Sequence, residues 1–235
     1  MDRGILLICD HASNAVPEDI DLAIDAALLD KHIAVDIGAG PLTQALAARL
    51  TAPAILATVS RLVIDLHRQP DHPALIPAAS DGHEIPGNRA ADRRDRIARF
   101  HAPYHRSLAS LVRSERPGLL ASIHSFTPRL EAGSDDVRVW EAGILSNRDR
   151  RAADLALGML TEAGVVTGDN KPYSGRVLNA TLNRHGEANG IPSLAIEIRN
   201  DLIRDPSGVA RWTTILAPIL ESIRNRLARI APSAT

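Results

Sequence analysis

The sequence predicts a single α/β domain, built on a mixed, mostly parallel sheet that carries helices on both faces. Short apolar runs alternate with longer stretches of helical periodicity, a pattern typical of parallel strands joined by crossover helices. The length of 235 residues suits one such domain with one sizeable core. Because no internal repeat or low-complexity linker divides the chain, we treat residues 1–235 as one domain, with residues 232–235 as a frayed tail.

The predicted strands are six short apolar runs, at Gly4–Cys9, Ala54–Val59, Leu62–Leu66, Leu119–Ile123, Val137–Leu145 and Ser193–Ile198. Longer periodic stretches predict three helices, at Asp36–Leu50, about Arg148–Ala163 and about Ser207–Ile230. Residues 70–88 are rich in Pro, His, Asp and Gly and show no period. Loops of that length are often functional, so we expect this one to serve the site.

The composition argues against several classes of partner. A net charge of -1 and an aromatic content of 3% favour neither a nucleic acid nor an anionic membrane surface, and we expect a small-molecule partner. The single cysteine, Cys9, excludes an intrachain disulfide and a thiolate zinc cluster, which suits a reducing cytoplasm. Neither a secretory signal nor an apolar stretch of about 20 residues is visible, so we expect a cytoplasmic protein.

Polar residues stand where the predicted strands end. His11 follows ILLICD, His124 follows LLASI, and Glu197 lies within LAIEIRND. Ligand sites of open α/β sheets gather beyond the carboxyl ends of strands. Two histidines and a carboxylate brought together there can bind Zn²⁺ and leave one position for water, and a further carboxylate can act as general base. No HExxH motif is present, so the pattern alone leaves open whether these residues are ligands or ordinary hydrogen-bonded side chains.

Two other chemistries are not expected. Ser60, Ser122 and Ser125 flank the candidate positions, but none lies in a Gly-x-Ser-x-Gly elbow, which argues against a serine hydrolase. His101 and His105 are spaced as a helical pair that could bind a metal. The arginines beside them, Arg99 and Arg106, indicate instead a solvated helix face.

Five segments of the chain resemble, in order, the conserved blocks of the N-formylglutamate amidohydrolase family: DHASNAVP, HIAVDIGA, SRLVIDLHRQPD, IHSF and AIEIRNDLI. The resemblance extends from about Leu6 to Ile203. It implies a zinc carboxypeptidase-like (phosphorylase/hydrolase-like) fold, shared with zinc-dependent cell-wall amidases. It also implies hydrolysis of an amide bond with one catalytic zinc ion.

The resemblance also implies a set of metal ligands and a general base. His11 and His124 match the two ligand histidines, and Glu197 matches the general base on a late strand. For the acidic ligand, Asp36 is preferred because the related amidases place a carboxylate at the start of a helix, where the helix dipole favours an anion. Asp65 is the alternative, although the neighbouring Arg68 favours a structural ion pair for it.

The substrate implied by the resemblance is an N-acyl amino acid, most specifically N-formyl-L-glutamate, which would yield formate and glutamate. Two carboxylates call for cationic or strong-donor groups, and arginine binds a carboxylate through two parallel bonds. Arg61 is the candidate for stabilising the oxyanion, and the substrate-binding candidates are Arg68, Asn88, Arg89, Arg199 and His185. The family commonly carries Asn where His67 stands, so His67 is not expected to be an essential ligand. Two alternatives stay open: a deacylase or peptidase for another small N-acylated substrate, and a non-catalytic binding protein.

Overall fold

A six-stranded sheet forms the centre of the computed structural model, which describes residues 4–133 and 137–230. Its strands are β1 Ile5–Cys9, β2 Ala54–Leu56, β5 Leu119–Phe126, β6 Ala142–Leu145, β7 Thr167–Asp169 and β8 Ser193–Arg199, in the spatial order β2-β1-β5-β8-β6-β7. Neighbouring strands pair in parallel, except β6 with β8. The predicted mixed, mostly parallel sheet is therefore confirmed. The tail predicted at residues 232–235 lies outside the described residues.

Helices cover both faces of this sheet. They are α1 Ala39–Leu50, α2 Arg93–Arg96, α3 Ala102–Glu115, α4 Arg151–Glu162, α5 Ala180–His185 and α6 Pro206–Ile230. A π-helical turn, Ile97–His101, joins α2 to α3. The long loop after residue 70 contains two short 3-10 helices, Pro73–Leu75 and Pro86–Asn88, and a small hairpin of β3 Ala79–Ser80 with β4 His83–Glu84. Within the described part of the chain, no helix has the length and apolarity needed to cross a bilayer.

Two hydrophobic clusters flank the sheet. On one face, α1, α4 and α6 pack their apolar residues, among them the fully buried Leu46 and Trp212. On the other face, Leu108 of α3 and Leu182 of α5 pack against Leu6 and Leu120 of the central strands. Because these strands are parallel and covered on both faces, they are buried along their whole length and mostly apolar rather than alternating.

The predicted strand at Leu62–Leu66 is wrong, because this segment forms a turn. The Ser60 carbonyl accepts the backbone N–H groups of Val63 and Ile64, and the Ser60 hydroxyl accepts that of Leu62. Val63, Ile64 and Leu66 are buried in a third cluster, which includes Leu75 and Tyr104. Leu62 is buried in a fourth cluster. The β-rich composition of the turn reflects burial, which composition alone does not distinguish from strand formation.

Other differences concern the ends and the short elements. Of the strand predicted at Val137–Leu145, only Ala142–Leu145 forms, and the strand predicted at Ala54–Val59 ends at Leu56. The short elements β7 and α5 were not predicted. The three predicted helices are confirmed, with two ends as predicted, at Leu50 and Ile230, and the other ends within three residues.

The start of α1 is set by Gly38, which caps the helix with a φ of 80°. A Cβ atom added to Gly38 would lie 2.1 Å from the carbonyl oxygen of Ile203. Any other residue here would therefore clash with the backbone of Ile203 and would also have to adopt a left-handed conformation. Two residues earlier, the Asp36 N–H donates to the His11 carbonyl at 3.1 Å. These contacts fix Asp36 next to the end of β1.

We expect Gly38→Ala to lower the free energy of unfolding by at least about 2 kcal/mol, because strain and clash add. The matched control is Gly158→Ala in α4, where a Cβ meets nothing within 4 Å. That exchange should stabilise by about 0.5–1 kcal/mol through helix propensity. Urea denaturation of both variants measures the difference, and equal stabilities would contradict the assigned role of Gly38.

Candidate metal and catalytic site

The three central parallel strands bring the candidate residues to one edge of the sheet. His11 is the second residue after the end of β1, and His124 lies near the carboxyl end of β5. Glu197 in β8 is the register partner of His124, so their side chains leave the sheet on the same face. The predicted convergence at the carboxyl edge is thus observed in the structure.

His11, Asp36 and His124 form a buried group that could hold a metal ion. The Oδ2 atom of Asp36 lies 3.2 Å from His11 Nδ1 and 2.9 Å from His124 Nδ1. Neighbouring ligands of a tetrahedral zinc ion with bonds of about 2.0–2.1 Å are about 3.3 Å apart. Two imidazoles and one carboxylate therefore fit a zinc-like divalent cation in donor type, and they need only small shifts to fit it in spacing.

The Nε2 atoms of His11 and His124, which point away from Asp36, have hydrogen-bond partners that suit metal-ligating histidines. His11 Nε2 contacts Asp65 Oδ1 at 2.7 Å, and His124 Nε2 contacts Ser122 Oγ at 2.9 Å. When these Nε2 atoms donate their protons outward, both Nδ1 atoms present lone pairs toward Asp36. Such outer hydrogen bonds fix the tautomer and orientation of ligand histidines. This geometry favours Asp36 over Asp65 as the acidic ligand and gives Asp65 an orienting role.

The charges around Asp36 are closely balanced. Arg61 NH1 lies 3.1 Å from Asp36 Oδ1, and Arg61 NH2 lies 2.9 Å from Asp65 Oδ2, so one guanidinium joins both carboxylates. Arg68 Nε is 3.7 Å from the same Asp65 oxygen. Burial and Arg61 oppose protonation of His11, but Asp65 and Asp36 outweigh them and raise its pKa to about 9. Two of the five N–H groups of Arg61 are therefore paired with carboxylates, and its other N–H groups are not engaged by these contacts.

Glu197 is buried beside this group and differs from the other acids of the site. Its Oε2 is the one buried carboxylate oxygen within residues 4–133 and 137–230 that has no hydrogen-bond partner. Burial, together with the negative charge of Asp36, raises the pKa of Glu197 to about 7, although His124 opposes the shift. A carboxyl with an unpartnered oxygen and a pKa near neutrality is suited to accept and return a proton.

A second buried group, Asp10, His67 and His124, could also hold a metal ion. Here, however, the donors already satisfy one another. Asp10 accepts from the Tyr104 hydroxyl at 2.7 Å and from His67 Nδ1 at 2.8 Å, and His67 Nδ1 also lies 3.1 Å from Thr181 Oγ1. His124 Nε2 is 3.7 Å from Asp10. We therefore favour the group at Asp36 for the ion.

Three further histidines are buried below the site, and the expectation of a solvated face for His101 and His105 is wrong. His105 Nε2 donates to the Leu66 carbonyl at 3.0 Å, so its Nδ1 is the acceptor for His185 Nε2 at 2.9 Å. His101 Nε2 donates to the Arg68 carbonyl at 3.0 Å. These bonds hold the turn that carries His67. Because His185 Nε2 is engaged by His105, it is not free for the substrate contact predicted for it.

The remaining predicted substrate residues have other partners. Asn88 is buried, and its amide donates to the carbonyls of Leu62 and Pro77. Arg89 is exposed and pairs with Glu84 at 2.7 Å. Arg199 pairs with its neighbour Asp201 at 2.8 Å. These contacts give the three residues roles in loop and surface structure, and they do not place them with the catalytic group.

Sequence reasoning missed several residues near the site. Asp10 directly precedes His11 at the end of β1. The alternation of side chains along a strand directs Asp10 to the same face as His124, so its position could have predicted a place near the site. Tyr104 and Thr181 carried no comparable signal, because they come from α3 and the unpredicted α5. Tyr173 also carried no sequence signal for a place near the site. Its pKa is raised by burial and by the charge of Glu197.

Comparisons with known proteins agree with this architecture. A sequence profile of the N-formylglutamate amidohydrolase family matches residues 3–204. A gene product of Agrobacterium tumefaciens of known structure is 30% identical, with a TM-score of 0.90 over 95% of this chain and 91% of that one. The N-formylglutamate amidohydrolase from Ralstonia eutropha shares the fold, at 22% identity and a TM-score of 0.69 over 97% and 94% of the two chains. Comparison with curated protein sequences gives no significant match.

The two candidate metal groups share His124, so carboxylate variants distinguish them. We expect Asp36→Asn to weaken zinc affinity more than about 100-fold, Asp65→Asn about 10- to 100-fold through the orientation of His11, and Asp10→Asn less than about 10-fold. Titration against a chromophoric chelator measures the affinities, and circular dichroism controls for folding. Loss of zinc in Asp10→Asn with retention in Asp36→Asn would assign the ion to the other group.

The buried His105–His185 pair predicts loss of stability in mild acid. Burial, followed by the charges of His101 and Arg184 respectively, lowers the pKa of His105 to about 3 and of His185 to about 4. Both histidines therefore bind a proton more readily in the unfolded chain than in the folded one. Their neutral forms stabilise the folded state fully above about pH 6.5, and this stabilisation is lost as the pH falls toward 4.

We expect His185→Gln, which keeps a donor for His105 but cannot titrate, to flatten the decline between pH 6.5 and 4 by roughly 1 kcal/mol per pH unit. Urea denaturation at several pH values measures the slope. The same slope in both proteins would contradict a buried neutral histidine at this position.

Proposed function

This chain belongs to the N-formylglutamate amidohydrolase family, and from that premise we propose that it is a zinc-dependent amidohydrolase that converts N-formyl-L-glutamate to formate and glutamate. The observation that carries the proposal is the buried Glu197 carboxyl, with one unpartnered oxygen, beside the His11, Asp36 and His124 group. Hydrolysis of an amide needs a base for water and an acid for the departing amine, and one carboxyl can serve both steps. We expect this chemistry in the cytoplasm.

His11, Asp36 and His124 would hold the zinc ion through His11 Nδ1, Asp36 Oδ2 and His124 Nδ1. Bound there, zinc would polarise the substrate carbonyl and lower the pKa of water to about 7. Asp65 and Ser122 hold the far nitrogens of the two histidines, so the donor atoms need little reorganisation when the ion binds. Three protein donors leave a position open for the reaction.

Glu197 would take a proton from the attacking water and deliver it to the nitrogen of the departing amino acid. Its burial supports this role, because water is largely excluded and the proton stays within the site. Arg61 holds Asp36 and Asp65 with two of its N–H groups. Since its side chain is 26% exposed, we propose that its remaining N–H groups donate to the developing oxyanion.

Arg68 is the proposed contact for one substrate carboxylate. Its side chain lies at the turn beside the metal group, 19% exposed, and its pairing with Asp65 at 3.7 Å is loose. A guanidinium in that position can still donate to a bound carboxylate. Asn88, Arg89, Arg199 and His185 are not included in this proposal, because the structure gives each of them another partner.

Two alternatives differ in what they predict. A deacylase for another small N-acylated amino acid or peptide keeps the metal and Glu197 but loses the preference for glutamate. A non-catalytic binding protein on the same fold predicts neither stoichiometric zinc nor a rate that depends on Glu197. The unpartnered Glu197 oxygen favours an enzyme, because an unsatisfied buried carboxylate oxygen costs stability and a catalytic role explains why it is kept.

The decisive variant is Glu197→Gln, which keeps the shape of the side chain and removes its basicity. We expect kcat for N-formyl-L-glutamate to fall about 100- to 10,000-fold while zinc content is unchanged. Rate assays and metal analysis on the same preparations measure both quantities. Wild-type protein should also hydrolyse N-formyl-L-glutamate faster than neutral N-formyl amino acids. Equal rates on N-formyl-L-glutamate and on neutral N-formyl amino acids would indicate an amidohydrolase of another specificity. An unchanged kcat in Glu197→Gln would show that Glu197 is not the general base.

A further inference from the structure

Arg138 and Tyr173 form a paired donor group close to Glu197. Arg138 NH1 donates to the Thr127 carbonyl at 3.1 Å and to the Tyr173 hydroxyl at 3.0 Å, and its guanidinium carbon lies 4.9 Å from the centre of the Tyr173 ring. A guanidinium has only donors, so the Tyr173 oxygen must accept here. The phenolic proton therefore remains available for a further acceptor.

The chain path places this pair beside the general base. Gly143 in β6 is the register partner of Glu197, and a Cβ added to Gly143 would lie 3.5 Å from Glu197 Cβ and 2.1 Å from the Lys171 carbonyl oxygen. The backbone two residues before Tyr173 therefore packs against the strand position opposite Glu197. The charges of Glu197 and Arg61 both act on the Tyr173 hydroxyl, which agrees with this placement.

Among residues 4–133 and 137–230, Arg138 also has no counter-charge. No carboxylate among residues 4–133 and 137–230 lies within 4.0 Å of its guanidinium, although it is half-buried. Its Nε and NH2 atoms have no hydrogen-bond partner in those same ranges and are not fully buried. Arg61, by contrast, already joins two carboxylates. A half-buried guanidinium with unused donors can bind an anion from outside the chain, because its planar fork matches a carboxylate.

We propose that Arg138 NH2 and the Tyr173 hydroxyl bind the α-carboxylate of the amino-acid part of the substrate. This inference rests on the proposed amidohydrolase function. Glu197 delivers its proton to the departing nitrogen, and the α-carboxylate is attached one carbon away from that nitrogen. A carboxylate-binding pair beside Glu197 therefore meets the α-carboxylate, and the side-chain carboxylate reaches further, toward other cations.

The test compares N-formyl-L-glutamate with its α-carboxamide and its γ-carboxamide analogues. In Arg138→Gln, we expect the preference in kcat/KM for N-formyl-L-glutamate over the α-carboxamide to fall about 10- to 100-fold, as for loss of a charged hydrogen bond. The preference over the γ-carboxamide should stay the same. Tyr173→Phe, which keeps the ring and its packing, should act in the same direction by up to about 10-fold. Arg113→Gln, an exposed arginine of α3, controls for the loss of one positive charge.

Binding separates failure of this subsite from failure of the proposed function. Calorimetry with L-glutamate and its α-carboxamide reports carboxylate recognition without turnover. If the wild-type protein hydrolyses no N-acyl amino acid but binds L-glutamate, and Arg138→Gln weakens that binding while Arg113→Gln does not, the function is wrong and the subsite stands. If the wild-type enzyme is active and neither Arg138→Gln nor Tyr173→Phe changes α-carboxamide discrimination, the subsite is overturned.

Discussion

The meeting of two imidazoles at the Asp36 carboxylate is the interaction on which the rest of the site depends. Asp36 is almost fully buried, and an unpaired buried carboxylate costs several kcal/mol. His11, His124 and Arg61 compensate that charge, and they come from a strand end, a central strand and a turn. The sheet, the start of α1 and the turn after β2 must therefore all be in place before the charges balance. A cation bound by Asp36 and the two histidines would replace the hydrogen bonds among them with direct bonds to Asp36 Oδ2 and the two Nδ1 atoms.

The arrangement around this centre divides the charged residues into two kinds. Arg61 and Asp65 are engaged with each other and with the candidate ligands, so they maintain the geometry of the group. Glu197, Arg68 and Arg138 each keep atoms without a hydrogen-bond partner among the described residues, so these atoms can meet water and substrate. For Glu197 the unpartnered oxygen is buried, and a polar atom removed from water costs stability unless a ligand completes it. The unused Arg138 nitrogens are not fully buried.

Buried polar residues account for most of the differences between sequence pattern and structure. The turn at Leu62–Leu66 is apolar because it packs in the core, and its backbone is held by Ser60, His105 and other side chains rather than by a neighbouring strand. His105 and His185 satisfy each other and a carbonyl in place of solvent, although arginines stand beside both helical segments. Local pattern records which residues are buried, but not which backbone conformation or partner satisfies them.

The sequence by itself determined the α/β class, the helices α1, α4 and α6, and the placement of His11, His124 and Glu197 at one edge, because parallel strands carry their carboxyl ends to the same side. It left Asp36 and Asp65 as alternatives. Only the tertiary structure decided that Asp36 faces both histidines, that Arg61 is committed to two carboxylates, and that Arg138 reaches Tyr173. Except for Arg61 and Asp65, which are four residues apart, those contacts join residues 25 to 88 positions apart, and the paths of the intervening loops set them. No local propensity contains that information.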